Sequence, residues 1–262
     1  MGNILQTICD NKRREVARQK EAVNISFLEY MLGFQMREKV SFRQVLSVSD
    51  SGIIAEFKRR SPSRGWIYPD ANAAGVVQAY EAAGATAISC LADEKFFGGG
   101  FGDFKQARVA VSRIPLLRKD FIVDEYQVYQ SKVMGADVIL LIAACLTQEE
   151  AARFTETAHA LDMEVLLEIH GEEELSYIQP AIDVVGINNR NLKTFATDLR
   201  HTIELANKIP DTFVKISESG LSDPQTVIDL RKKGFKGFLM GEIFMKTDSP
   251  GEALAEFISG LR

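Results

Sequence analysis

The sequence has little cysteine: three in 262 residues, at positions 9, 90 and 145. An odd number, wide spacing and no C-x-x-C support neither a disulfide framework nor a structural zinc site. The three histidines, His159, His170 and His201, show no metal-ligand spacing. No apolar run approaches the roughly 18 residues that a membrane-spanning helix needs. The N-terminus, MGNILQTICDNKRREVARQK, has neither a long apolar stretch nor a small-residue cleavage site. A soluble, cytoplasmic protein with no membrane partner is expected. Charge of one sign is not concentrated either. The net charge is −5, with 31 Lys and Arg and 36 Asp and Glu spread along the chain, which argues against nucleic acid as the main partner.

What is present is a large apolar fraction, 46%, enough for one α/β barrel or two smaller domains. Residues 1–48 are rich in Arg, Lys, Glu and Gln, with Ile4, Leu5, Ile8 and Val16 near helical spacing. That pattern predicts one or two amphipathic helices. After Ser51-Gly52 the texture changes to eight short apolar runs, each followed by a helical stretch: GIIAEFK, ATAISCLA, PLLRKD, DVILLIAA, EVLLEIH, DVVGINN, FVKISES and GFLMGE. Capping boxes are expected at Thr147 and at Ser249, the latter with Pro250 in the first helical position. Gly84, Gly135 and Gly234 suit helix ends just before strands. Eight βα units without a linker tract predict a (β/α)8 TIM barrel as a single domain spanning 1–262, with 1–48 as an N-terminal helical extension. A doubly wound open sheet, with five or six strands and a phosphate loop after the first, is the alternative.

In such a barrel the site lies at the C-terminal ends of the strands. Side chains alternate along a strand, so in IIAEFK Glu56 and Lys58 share the inward face while Ile53, Ala55 and Phe57 face the helices. Lys119, Glu168, Asn188, Arg190, Glu218, Ser219, Gly220, Gly241 and Glu242 end the later runs. One such charge reads as an ion pair or a solvated strand end. A set of them in one cavity is costly unless the charges pair or serve a purpose, and it favours perturbed ionisation. The glycine-bearing turns SESG and MGE fall where barrels bind phosphate through backbone N–H groups, although Gly220 and Gly241 also serve a tight turn alone. FFGGGFGDF lacks dinucleotide-loop spacing and is expected to be a flexible active-site loop. His170 is expected at the rim. Trp66, Phe96 and Phe97 fall in loops at the same face, where an aromatic substrate or ordinary packing would account for them.

IIAEFKRRSPSRG, with its Glu-x-Lys strand end joined to a Ser-Pro-Ser loop, resembles the signature of the indole-3-glycerol-phosphate synthase family. ILQTICDNKRREVARQK, FFGG, LLRKDFIVDEYQVY, ADVILLIAACL, MEVLLEIH, GINNRNL, SESGL and MGEIFM resemble its segments in order, over essentially the whole chain. The resemblance implies conversion of 1-(2-carboxyphenylamino)-1-deoxyribulose 5-phosphate to indole-3-glycerol phosphate, CO2 and water, with no metal or organic cofactor. It implies Lys119 as general acid in ring closure and Glu168 in the later dehydration. Lys58 would bind the substrate's anionic groups and take part in proton transfer, with Glu56 and Asn188 orienting them. Arg190, Glu218 and Ser219 match further site positions. Ser61, Gly220, Gly241 and the backbone of Glu242 match the loops that hold substrate and phosphate.

Ring closure onto a ketone needs a proton donor at the developing alkoxide. Lys58 and Lys119, as like-charged neighbours, are expected to ease each other's deprotonation. Glu242 and Gly100 depart from the family pattern, where Ser is common; if only the backbone at 242 touches phosphate, the acidic side chain turns away. A phosphosugar isomerase barrel would pair a Cys or Asp base with an Asp acid, which this Lys/Glu set does not match. A catalytically silent phosphate-binding barrel would be expected to lack Lys119 or Glu168, and both are present. The sequence leaves the oligomeric state open, a monomer included.

Overall fold

The computed structural model describes residues 4–34, 37–190 and 197–261. Eight parallel strands close a barrel: β1 (Ile53–Phe57), β2 (Ala87–Leu91), β3 (Leu116–Lys119), β4 (Val138–Ile142), β5 (Glu164–Ile169), β6 (Val184–Asn188), β7 (Val214–Glu218) and β8 (Phe235–Met240). Each pairs with its sequence neighbours, and β1 pairs with β8 to close the ring, Ile53 opposite Phe238. All eight predicted runs are strands. They are apolar on both faces because one face fills the barrel and the other is covered by helices. Register aligns Glu56 with Ser89, Leu91 with Lys119, Ile142 with Glu168, and Asn188 with Glu218. One rim therefore collects the polar strand ends.

The crossovers are helical, as expected, although the one between β5 and β6 is a 3₁₀ stretch, Glu172–Tyr177. Thr147 forms its predicted capping box: its hydroxyl accepts from Glu150 N at 3.2 Å, and Glu150 Oε2 accepts from Thr147 N at 2.9 Å. Ser249 does not. Pro250 does begin the helix, but at φ −127°, ψ 77° the Ser249 backbone departs from the extended geometry of Thr147, and its side chain makes no capping bond. Gly84, Gly135 and Gly234 adopt φ of +92°, +85° and +91° at helix ends. FFGGGFGDF is more ordered than the expected loop: helices Glu94–Phe97 and Phe101–Ala110 flank Gly98–Gly100. Asp93 caps the first by accepting from Phe96 N at 2.8 Å.

Among the described residues, three helices rather than one or two come before β1: α1 (Ile4–Ala22), α2 (Ile25–Leu32) and α3 (Phe42–Val48). The breaks have a local cause. Asn24 and Ser41 are N-caps, accepting from Phe27 N at 2.9 Å and Gln44 N at 3.1 Å. The start of α1 lies over the C-terminal rim, where Ile4, Leu5 and Ile8 reach the barrel cavity. At the opposite end, α3 buries Phe42 and Leu46 completely. Ser41 Oγ and Arg43 N donate to Glu164, the first residue of β5, at 2.6 and 2.8 Å. The extension thus closes the barrel at both ends.

Candidate active site

The C-terminal rim surrounds a cavity of about 500 Å³, within the usual range for small-molecule sites. Its wall brings together Glu56, Lys58, Ser61, Phe97, Lys119, Glu168, Asn188, Arg190, Glu218, Ser219, Gly220, Gly241 and Glu242. Phe96 and Trp66 are not in the wall; Trp66 is half exposed and stacks against the Arg60 guanidinium. Residues 191 and 192, the end of GINNRNL, lie outside the described residues. Among the described residues no cluster of His, Cys, Asp or Glu is arranged to hold a metal ion.

At the centre, Lys119 Nζ lies 3.0 Å from Glu168 Oε2 and 3.5 Å from Glu218 Oε2. Glu168 Oε1 accepts from Asn188 Nδ2 at 3.0 Å, and His170 Nε2 stands 3.1 Å from the same oxygen. Lys58 Nζ is paired with Glu56 Oε1 at 2.7 Å, and Ser89 Oγ donates to Glu56 Oε2 at 3.3 Å. Gly186 makes room for this arrangement: a β-carbon there would collide with Glu218 Oε1 and come within 3.1 Å of Leu166.

The charges shift one another in opposite directions. Burial favours a neutral Lys119, but the carboxylates of Glu168, Glu218 and Glu56 outweigh it and hold the ammonium above its ordinary range. The expectation that Lys58 would ease deprotonation of Lys119 is therefore corrected, because carboxylates dominate the lysine's surroundings. Burial would raise Glu168, yet the Lys119 charge and the contacts from His170 and Asn188 keep it well below the usual carboxylate range. Glu218 goes the other way. Burial, with the negative charges of Glu168 and Glu56 overcoming the pull of Lys119, pushes its carboxyl up to about 8.

Around this centre the loops supply polar groups. Arg190 N donates to Asn188 Oδ1 at 3.0 Å, and its guanidinium donates to Ser63 Oγ at 3.2 Å. Ser61 Oγ accepts from Arg64 N at 3.2 Å. Ser219 and Gly220 have φ of +71° and +72°, an unusual conformation for a serine. Glu242 begins a short helix, and its carboxylate pairs with Arg64 Nε at 3.1 Å. That contact gives the acidic side chain a partner in the Ser-Pro-Ser loop. Arg59, in the same basic stretch, holds Asp103 through two bonds of 2.6 and 2.7 Å and Gly98 O at 3.0 Å. Its charge anchors the FFGGGFGDF segment.

Sequence reasoning missed three features. Ile4, Leu5 and Ile8 were legible as an apolar stripe but not as a lid over the rim. Lys12 is buried on α1, 3.0 Å from Asp93 and 3.1 Å from Asp120, and so ties the helix to the ends of β2 and β3. His170 was placed at the rim without its link to Glu168; the two-residue spacing in EIH, which puts both on one face, was the available signal.

A model of the indole-3-glycerol phosphate synthase family matches residues 5–257. The chain is similar to the indole-3-glycerol phosphate synthase of Bacteroides thetaiotaomicron, 53% identical over 262 residues covering 100% of both chains. The protein of that name from Neisseria meningitidis serogroup C is 44% identical, with 95% of this chain and 96% of the relative covered. The Delftia acidovorans protein is 39% identical, with 99% and 100% covered. Two solved structures share the fold at low identity. A 3-hexulose-6-phosphate synthase from Salmonella typhimurium has a TM-score of 0.63 at 12% identity, with 80% of this chain and 98% of the other covered. Thiamine phosphate pyrophosphorylase from Pyrococcus furiosus gives 0.60 at 14%, covering 81% and 96%.

Proposed function

The chain belongs to the indole-3-glycerol phosphate synthase family, and from that premise we propose how its own side chains carry the reaction. The enzyme is a carboxy-lyase of tryptophan biosynthesis. It closes the ring of 1-(2-carboxyphenylamino)-1-deoxyribulose 5-phosphate, releases CO2 and water, and yields indole-3-glycerol phosphate.

In ring closure the aryl carbon bearing the carboxylate attacks the ketone, and Lys119 gives its proton to the oxygen that becomes an alkoxide. What supports this role is an ammonium held charged among carboxylates, the protonation state from which a donor must start. Loss of CO2 from the same carbon then restores the aromatic ring. Dehydration requires a base to take the proton beside nitrogen as the hydroxyl leaves as water with a proton supplied from solvent. Glu168 fills that role, since it is held ionised next to Lys119. A proton gained on Oε2 lies 3.0 Å from the lysine that gave one up, a short path for its return.

Lys58 pairs with the substrate carboxylate or phosphate in exchange for part of its contact with Glu56, and Asn188 and Glu56 hold the two charged centres in place. Ser61, Arg190, Ser219, Gly220, Gly241 and the Glu242 backbone form the phosphate side of the cavity, with Phe97 against the aromatic ring. The same reading takes 1–262 as one domain whose first 48 residues are an extension of the barrel; α1 contributing Ile4, Leu5 and Ile8 to the cavity wall supports it. It also places the enzyme in the cytoplasm, in keeping with three free, buried thiols. No helix among the described residues is long and apolar enough to cross a membrane.

The observation that carries the assignment of roles is the Lys119–Glu168 contact inside the cavity. Mixing purified protein with the carboxyphenylamino substrate should produce indole fluorescence, and the Lys119 and Glu168 variants should lose it. Binding of substrate without product would favour a silent barrel instead.

A further inference from the structure

His170 stands just beyond β5, on the face it shares with Glu168. Its side chain is 11% exposed and lies between two carboxylates: Nε2 is 3.1 Å from Glu168 Oε1, and Nδ1 is 3.4 Å from Glu174 Oε2. A neutral imidazole carries one N–H and would turn a bare nitrogen toward one of these carboxylates. Neither ring nitrogen meets hydrogen-bond geometry, so both contacts are charge pairs, and only the imidazolium puts a positive charge beside both carboxylates. The main chain of His170 is anchored as well: His170 N donates to Glu174 Oε2 at 2.6 Å and His201 Nε2 meets His170 O at 3.0 Å.

The two oxygens of Glu168 are thereby made unequal. Oε1 faces Asn188 Nδ2 at 3.0 Å and His170 at 3.1 Å, whereas Oε2 faces Lys119 and the cavity. With Oε1 engaged on two sides, the carboxylate cannot rotate without losing both contacts, and Oε2 is the oxygen left to take a proton.

We propose that His170, clamped by Glu174, is a positioning residue that fixes the plane of the Glu168 carboxylate and keeps it ionised for dehydration. The proposal rests on the reading of Glu168 as the base. Burial alone would favour neutral imidazole, but the contacts and charges of Glu168 and Glu174 prevail and push His170 to about 10. The groups around the pair are Lys119 from β3, Glu218 from β7, Asn188 from β6, and His201 at the His170 carbonyl. Of these, Lys119 also holds Glu168 ionised, so loss of His170 weakens that hold without abolishing it.

Steady-state kinetics from pH 3 to 9, read by indole fluorescence, test this on His170→Asn, Glu174→Gln and Glu168→Gln. His170→Asn is expected to lower kcat roughly 10- to 100-fold, the range of one lost buried charge contact, with KM unchanged within about twofold. The acid limb of kcat, held below the usual carboxylate range in the wild type, should rise toward that range in the variant, because Glu168 then binds a proton more readily. Glu174→Gln should move the same limb in the same direction by less, and it carries the test if His170→Asn does not fold. Added to Glu168→Gln, His170→Asn should cost no more than about twofold further, since positioning acts only through that carboxylate. An unchanged kcat and acid limb in both single variants, beside a crippled Glu168→Gln, overturns the positioning role alone. So does a raised KM with unchanged kcat. Wild-type turnover in Glu168→Gln overturns the underlying assignment of the base instead.

Discussion

Glu218 occupies space that Gly186, on the adjacent strand, leaves by having no side chain. Gly186 is level with Glu168 on one side and with Ile216 on the other. A methyl group there would meet the Glu218 carboxylate and the Leu166 side chain. Gly186→Ala should therefore displace Glu218 from Lys119 and cost ~1–3 kcal/mol of stability by overpacking. Turnover is expected to fall by roughly tenfold or more, on the scale of one disturbed charge contact at the site. Circular dichroism alongside kcat separates this local effect from unfolding, and wild-type kcat would contradict it.

Lys119→Ala removes the proton donor and the charge that keeps Glu168 ionised. We expect kcat to drop by roughly 10³-fold or more, the combined scale of a lost acid and its electrostatic role. Single-turnover formation of indole product is the measurement, and near-normal turnover would rule out the assignment.

Glu218 ionises at about 8 in the folded protein, against an ordinary 4.5. As pH rises through 8 a negative charge appears opposite an anionic substrate, so KM should climb above pH 8 in the wild type. Glu218→Gln, neutral throughout, should keep KM flat from pH 7 to 9. Stability follows the same sign. The raised folded value contributes stability below about 4.5 that is lost as pH rises through 8. The melting temperature of the wild type should thus fall more steeply between about pH 5 and 8 than that of the variant, and the difference should level off above 8.

Lys12 is 1% exposed, with Asp93 and Asp120 at 3.0 and 3.1 Å and Glu15 at 3.2 Å. Burial would lower its ionisation, yet Asp120, Asp93 and Glu15 hold it charged, above its ordinary range. Lys12→Met leaves two buried aspartates without their shared cation and should cost ~3–5 kcal/mol in urea unfolding. Detachment of α1 would also withdraw Ile4, Leu5 and Ile8 from the cavity and raise KM. A variant of unchanged stability would show that the extension is held elsewhere.

The barrel was legible because its evidence is local and repeated. Eight apolar runs, three of them preceded by helix-end glycines, carry the period of a βα unit, and period-2 alternation alone turned Glu56 inward. Glu168 and Asn188 fell at strand ends by the same rule. Local chemistry misled where backbone angles were needed: Ser249 had the capping-box spacing of Thr147 without its conformation. Asn24 and Ser41 were readable caps, and they divide the extension into three helices.

The sequence by itself determined the strand count, the polar rim and the candidate residues, since each depends on short-range periodicity and residue type. Only the tertiary structure decided which charge meets which. Glu168 and Glu218 are both carboxylates at strand ends, yet one is held ionised and the other driven toward neutrality. The difference lies in distances to Lys119, His170 and Asn188, set by barrel register. In a buried site, electrostatic effects of this size change over a single ångström. The same holds for Lys12, which is a buried clamp because folding carries α1 across the mouth of the barrel.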